Sequence, residues 1–286
     1  MVTVHHRTAA VMGLDVFYRE AGPEDAPVFL LLHGYPTSSH MFRGLIPKLA
    51  EKYRVIAPDH IGFGRSSAPP VEEFDYTFTG LADVTQAFLK AVGVDRYTVY
   101  TQDYGAPIAW RLALANPAAV QGVVSQNGNA YEDGFVPDFW APIWAYGADP
   151  SASNEAALRP ALGREAVEWQ YQHGVPDMER IDPDAWEHDI ALLNRPGNDR
   201  IQLALFADYH TNRALYPSLH EWLRSYEVPV LAVWGRNDEI FGPEGARAFL
   251  RDAPHARVEL LDGGHFLLES NLDEVAAAIL DWREGF

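Results

Sequence analysis

Thr101-Gln102-Asp103-Tyr104-Gly105 is the stretch on which the reading of this chain turns. It follows a short run rich in β-branched and aromatic residues, 97–101, and precedes an amphipathic pattern over 106–115. It therefore marks a sharp strand-to-helix bend. A nucleophile raised at the tip of such a bend needs small residues two before and two after it, because larger ones clash in the strained turn. Gly105 meets that need, whereas Thr101 is bulkier than the usual glycine. At the tip stands Asp103, where serine is the commoner nucleophile, and that one letter changes the reaction.

The pattern on either side of the bend is alternation. Short apolar runs at 28–32, 54–57, 97–101 and 120–124 are separated by helical patterns at 41–52, 79–92 and 106–115. Strand, helix and strand at this spacing predict βαβ units and a mostly parallel sheet. Before them, 2–11 and 14–20 read as an entering hairpin with its turn at Met12-Gly13. The alternation resumes with strands at 228–234 and 257–261 and helices at 243–251 and 272–282. Residues 131–226 lose the strand signal and read as helices broken by prolines, with five of the eight tryptophans. The chain thus divides into a first half of the core (1–130), a helical lid (131–226) and a second half of the core (227–286). A helical insert between two halves of one sheet is expected over the sheet's C-terminal edge, where open α/β sheets bind ligands.

Two further features converge on the same edge. His33-Gly34-Tyr35-Pro36 follows the strand 28–32, and a turn there aims backbone N–H groups above the bend. The amides of Tyr35 and Tyr104 are the candidate oxyanion hole. Asp238 follows the strand 228–234, and His265 follows the next strand. Nucleophile, acid and histidine in that order, each at a strand end, is the order this architecture uses for a nucleophile, its base and the base's orienter.

Composition narrows the rest. The formal charge of −18 provides no basic face for nucleic acid. The absence of cysteine excludes a disulfide framework, a thiolate metal site and a cysteine nucleophile. No apolar run approaches the length of a membrane span, and the polar start of the chain lacks a signal-peptide core. A cytoplasmic enzyme of globular composition is the expectation, acting on a small neutral organic molecule and water, with no cofactor and no metal. The sequence leaves room for a homodimer.

The chain resembles the α/β-hydrolase superfamily, and within it the branch with an aspartate nucleophile: epoxide hydrolases, haloalkane dehalogenases and fluoroacetate dehalogenases. The segment Pro58-Asp59-His60-Ile61-Gly62-Phe63-Gly64-Arg65-Ser66 is similar to that superfamily's D-x-x-G-x-G-x-S loop. The resemblance implies an α/β-hydrolase fold: a central, mostly parallel eight-stranded sheet flanked by helices, with a helical cap. It also implies a two-step reaction. Asp103 attacks a saturated carbon to form an alkyl ester, which is then hydrolysed by water deprotonated by His265, itself oriented by Asp238.

The leaving group separates the members of this branch. A departing halide is usually held by N–H donors, a tryptophan after the nucleophile and an asparagine in the H-G-N-P turn; here those positions are Tyr104 and Tyr35. The arginines that grip a fluoroacetate carboxylate are replaced by Tyr104 and Pro107. An opening epoxide instead needs O–H donors from lid tyrosines. Tyr209, in Ala207-Asp-Tyr209-His-Thr-Asn212, is the first choice for that acid and Tyr146 the second, with Tyr131 and Tyr171 as competitors. His33, Tyr35, Tyr104, Trp140 and Trp144 are the expected substrate-pocket residues, although Trp140 and Trp144, four apart, also fit one helical core face. Epoxide hydrolysis to a diol is the leading expectation. Haloalkane dehalogenation is the alternative, and a ligand-binding protein that kept the fold without the reaction is a further one.

Overall fold

In the computed structural model, which describes residues 2–285, the apolar runs become one eight-stranded sheet. The strands are β1 (His5–Val11), β2 (Leu14–Ala21), β3 (Val28–Leu32), β4 (Arg54–Pro58), β5 (Tyr97–Gln102), β6 (Val120–Gln126), β7 (Val230–Gly235) and β8 (Arg257–Leu261). Their order across the sheet is β1-β2-β4-β3-β5-β6-β7-β8. Only β1–β2 and β2–β4 pair antiparallel; the pairs from β4 to β8 are parallel. The hairpin turn is where the sequence placed it, with Met12 and Gly13 both at positive φ, as a tight two-residue turn requires.

Parallel strands covered on both faces read as continuous apolar runs, and here successive residues feed opposite cores. Leu30 and Leu32 join the cluster under the helices Phe78–Ala91 and Gly105–Ala115. Phe29 and Leu31 join the one under Leu45–Leu49 and Leu272–Arg283. In place of the single helix expected over 41–52 there is a 3-10 turn, Ser39–Phe42, and then the short helix Leu45–Leu49. Gly44 stands at the join: a Cβ there would lie 2.6 Å from Leu272 Cδ2, so the chain presses its bare backbone against the last helix.

Between β6 and β7 the chain is helical, from Pro137–Ala148 to Tyr216–Tyr226. Prolines that read as breaks in the sequence stand at helix starts, at Pro137, Pro183 and Pro217, where their missing N–H costs no hydrogen bond. The final helix, Tyr216–Tyr226, packs on Gly105–Ala115, with Leu219, Trp222 and Leu223 in the same cluster as Trp110. Earlier parts of the segment are tied to loops at the C-terminal ends of β3 and β4. Tyr35 Oη donates to Ala161 O at 2.9 Å, Arg195 Nη1 to Gly64 O at 2.9 Å and Asn198 Nδ2 to Gly62 O at 2.8 Å. The helices therefore stand over the sheet edge that carries Asp103.

Candidate active site

Asp103 sits between β5 and the helix Gly105–Ala115 with φ of 47°, in the left-handed region. A non-glycine residue held there costs on the order of 1–3 kcal/mol, and such strain persists only where the surroundings enforce it. They do so by close approach. A Cβ on Gly105 would lie 2.1 Å from Leu32 O, and one on Gly34 would lie 2.3 Å from Asp103 Cβ. The space a smaller residue would leave at position 101 is recovered elsewhere: Gly128 lets the loop after β6 pass Thr101, whose Oγ1 would be 2.7 Å from a Cβ there.

The turn after β3 and the elbow meet on the Asp103 carboxylate. Tyr35 N–H donates to Asp103 Oδ1 at 2.6 Å, and the Tyr104 amide also donates to this carboxylate. The other oxygen, Oδ2, lies 4.0 Å from His265 Nε2. His265 Nδ1 is 2.8 Å from Asp238 Oδ2. Asp238 is fixed in turn by Asn127 Nδ2 at 2.6 Å and by the Ile240 amide at 2.7 Å. Burial pushes the Asp103 carboxyl up to about 6, although His265 and the two amides oppose that rise. Burial also works against the charged form of His265, but the Asp238 and Asp103 carboxylates outweigh it, and its imidazole titrates above the ordinary histidine value.

A cavity of about 490 Å³ opens in front of Asp103. Tyr35 and Tyr104 form its floor, and Phe139, Trp140, Ile143, Leu158, Trp169 and Phe206 line its walls. Gln170 is the buried amide among these apolar side chains, and Glu165 stands at the exposed rim. Hydrolytic chemistry on a small apolar molecule suits such a chamber: its lining is mostly apolar, and Asp103 is the buried charged group within it.

The structure brings Asp103, His265, Asp238, Tyr35, Tyr104 and Trp140 together. Tyr209 packs against two of the lining residues, Trp140 and Tyr104. Its ring packs 4.4 Å from Trp140 and 5.8 Å from Tyr104, and burial, with the nearby Tyr216 and Asp103, holds its phenol well above the ordinary value. Three expected residues are placed differently. Tyr146 faces a separate surface hollow with Glu155, Arg159 and Arg200 and does not reach Asp103. His33 lies under the turn rather than in the cavity. It accepts the His60 amide at 3.1 Å, and burial holds it neutral, down to about 4. Trp144 backs Trp140 at 5.1 Å from outside, with Arg213 over its ring. Tyr131 and Tyr171 are engaged with Asp252 and Asp189 respectively.

Four contributors escaped the sequence reading: Gly34, Gln102, Asn127 and Gln170. For Gly34 and Asn127 the signal was present, in the glycine beside His33 and in the Asn127-Gly128 pair closing β6. The D-x-x-G-x-G-x-S loop is structural. Asp59 accepts the Ser39 and Arg65 amides, and a Cβ on Gly64 would strike its carboxylate at 2.0 Å. Among the described residues, no group of three histidines or carboxylates is arranged to hold a metal.

Comparison with known proteins fits this geometry. A family model described as the alpha/beta hydrolase fold matches residues 27–272. The chain is 43% identical over 280 residues to an uncharacterised hydrolase of Saccharomyces cerevisiae, covering 96% of this chain and 95% of the relative. It is 39% identical over 308 residues to a haloalkane dehalogenase of Bradyrhizobium diazoefficiens, covering 99% and 96%. Among solved structures, an epoxide hydrolase superposes with a TM-score of 0.80 at 22% identity, over 99% of both chains, a likeness of fold.

Proposed function

The chain belongs to the α/β-hydrolase family, and on that premise we propose that it opens epoxides to vicinal diols through an alkyl ester on Asp103. One observation supports this most directly. The Asp103 carboxylate has one oxygen on the Tyr35 amide at 2.6 Å and leaves the other facing the cavity, 4.0 Å from His265. A carboxylate attacking an ester would gain little by forming an anhydride. Attacking a saturated carbon, it forms a stable ester.

In the first step Oδ2 bonds to an epoxide carbon, that carbon's bond to the ring oxygen breaks, and the oxygen takes a proton from a phenol. We assign this donor to Tyr209, with the Tyr104 hydroxyl, buried and without a hydrogen-bond partner, as the second candidate in place of Tyr146. In the second step His265 Nε2 takes a proton from water, and the hydroxide adds to Asp103 Cγ. The resulting oxyanion is Oδ1, which the Tyr35 amide already holds, and the Tyr104 amide, a donor to the same carboxylate, stands ready beside it. Collapse breaks the ester Cγ–Oδ2 bond, the diol leaves with the proton from the imidazolium, and the proton left on the new Asp103 carboxyl passes to the phenolate, so that carboxylate, imidazole and phenol are all restored. Alkylation also prepares the base. It removes the Asp103 charge, one of the causes raising the His265 pKa, so the imidazole becomes easier to deprotonate when it is needed.

Haloalkane dehalogenation remains the second reading, favoured by the Bradyrhizobium relative. Against it, the indole N–H of Trp140 is committed to Ile240 O at 2.8 Å, and positions 35 and 104 carry phenols. A non-catalytic ligand-binding role would leave unexplained why a strained carboxylate, two amides and a buried histidine–aspartate pair converge on one point. Incubation with styrene oxide and with 1-bromobutane, assaying diol and free bromide, tests the proposal. Diol is the expected product. Bromide without diol would transfer the assignment to dehalogenation, and neither product across a broad panel would favour the binding protein.

A further inference from the structure

Gln102 closes β5 immediately before the nucleophile and has no exposed surface. Its amide nitrogen lies 2.7 Å from His265 Nε2, while Nδ1 of the same ring is held by Asp238. Both ring nitrogens are therefore engaged, and neither of them by Asp103, whose Oδ2 is 4.0 Å away and beyond hydrogen-bonding distance. Gln102 Oε1 has no partner.

A buried imidazolium beside a buried carboxylate, with nothing intervening, closes to a charge-assisted hydrogen bond of about 2.8 Å. Such a pair would occupy the lone pair that Oδ2 must direct at carbon. It would also leave no room between base and ester for water. The observed separation allows one water to sit about 2.8 Å from both Nε2 and the carboxylate.

We propose that Gln102 is a positioning residue that holds His265 Nε2 off Asp103, leaving Oδ2 free to attack and keeping open the place of the hydrolytic water. The assignment deepens the two-step reaction above and rests on it. In the resting enzyme the amide donates N–H to the Nε2 lone pair and fixes the ring's position. The hydrolytic water then takes that donor's place at Nε2, which frees the lone pair to accept the water's proton. The charged groups facing the ring are Asp238 and Asp103, and Phe241 and Phe266 pack beside it.

Gln102→Met keeps the length and removes both donor and acceptor; Gln102→Glu keeps an acceptor and removes the donor. Two readouts apply to the full-length protein: the NMR titration of His265, identified by its loss in His265→Gln, and the single-turnover rate of ester formation on Asp103. In the Met variant the ring is expected to close on Asp103. Its titration midpoint should rise by about one unit, and ester formation should slow about tenfold, the same factor expressed as a rate. In the Glu variant a third carboxylate should raise the midpoint further. A Met variant that melts like wild type, with an unchanged midpoint and ester formation within about twofold of wild type, would overturn the assignment. If that variant does not fold, an unchanged midpoint in the Glu variant does the same. If wild type forms no ester at all, the two-step scheme has failed, and the titration alone decides whether Gln102 holds the ring.

Discussion

Asp238→Asn isolates the orienting carboxylate with almost no change of shape. Three donors converge on Asp238: His265 Nδ1 at 2.8 Å and Asn127 Nδ2 at 2.6 Å on Oδ2, and the Ile240 amide at 2.7 Å on Oδ1. An amide offers one acceptor where two are needed. Turned one way, it faces an N–H at the buried Ile240 amide, which costs about 1–3 kcal/mol. Turned the other way, it loses both side-chain bonds and forces the imidazole into the wrong tautomer. In either orientation the imidazolium formed during hydrolysis loses its counter-charge, and His265 and Asp238 side chains are only 2% and 1% exposed. Breaking a buried pair costs about 3–5 kcal/mol, which at 1.36 kcal/mol per tenfold is a loss on the order of 10²- to 10⁴-fold. That loss falls on the second step, because attack by Asp103 requires no proton on His265. With Asp238 gone, burial dominates and the His265 titration moves below its wild-type position, so the acid limb of hydrolysis shifts to lower pH. Quenched single-turnover measurements should therefore show a nearly normal rate of ester formation, ester accumulation, and kcat and KM falling together. A folded Asp238→Asn protein that hydrolyses its ester within about threefold of wild type would refute this account of the histidine's partner.

Three other outcomes follow from the same geometry. Asp103 must be ionised to attack, and its carboxyl is pushed up to about 6, so ester formation should rise with pH through a limb near 6. A burst rate unchanged down to pH near the ordinary carboxylate value of about 3.9 would contradict that. Gly34→Ala places a Cβ 2.3 Å from Asp103 Cβ and 2.7 Å from Tyr104 N, and should reduce turnover at least about 100-fold by displacing the oxyanion donors. Wild-type turnover in that variant would mean the turn yields without cost. Tyr209→Phe should slow epoxide opening by about 100-fold or more if its hydroxyl protonates the ring oxygen. A near-normal rate there, with a loss in Tyr104→Phe, would move the role to Tyr104.

The body of the molecule was legible because its signals are local. An apolar run bounded by turn residues makes a strand, and Asp103, Asp238 and His265 could be ordered by strand ends alone. The helical segment was harder. Its helices bury aromatic side chains on several faces, so residue type does not reveal which side faces the cavity. Tyr146, the second choice for the ring-opening acid, is turned by the helix Pro137–Ala148 toward Glu155 and Arg159 instead. Trp140 and Trp144 share one helix, but only the first reaches the cavity. Gln102 eluded the reading for a different reason. It is an ordinary polar residue whose meaning depends on one partner, His265, 163 residues away along the chain.

The central claim is that a carboxylate, and not a water molecule, makes the first bond to the substrate. One turnover in ¹⁸O-labelled water tests it most directly, followed by tryptic digestion and mass spectrometry of the peptide 97–111 that carries Asp103. The two-step scheme predicts the heavy oxygen in the Asp103 carboxylate, with the diol carrying the oxygen that carboxylate gave up. Label found in the diol with an unlabelled peptide would contradict it.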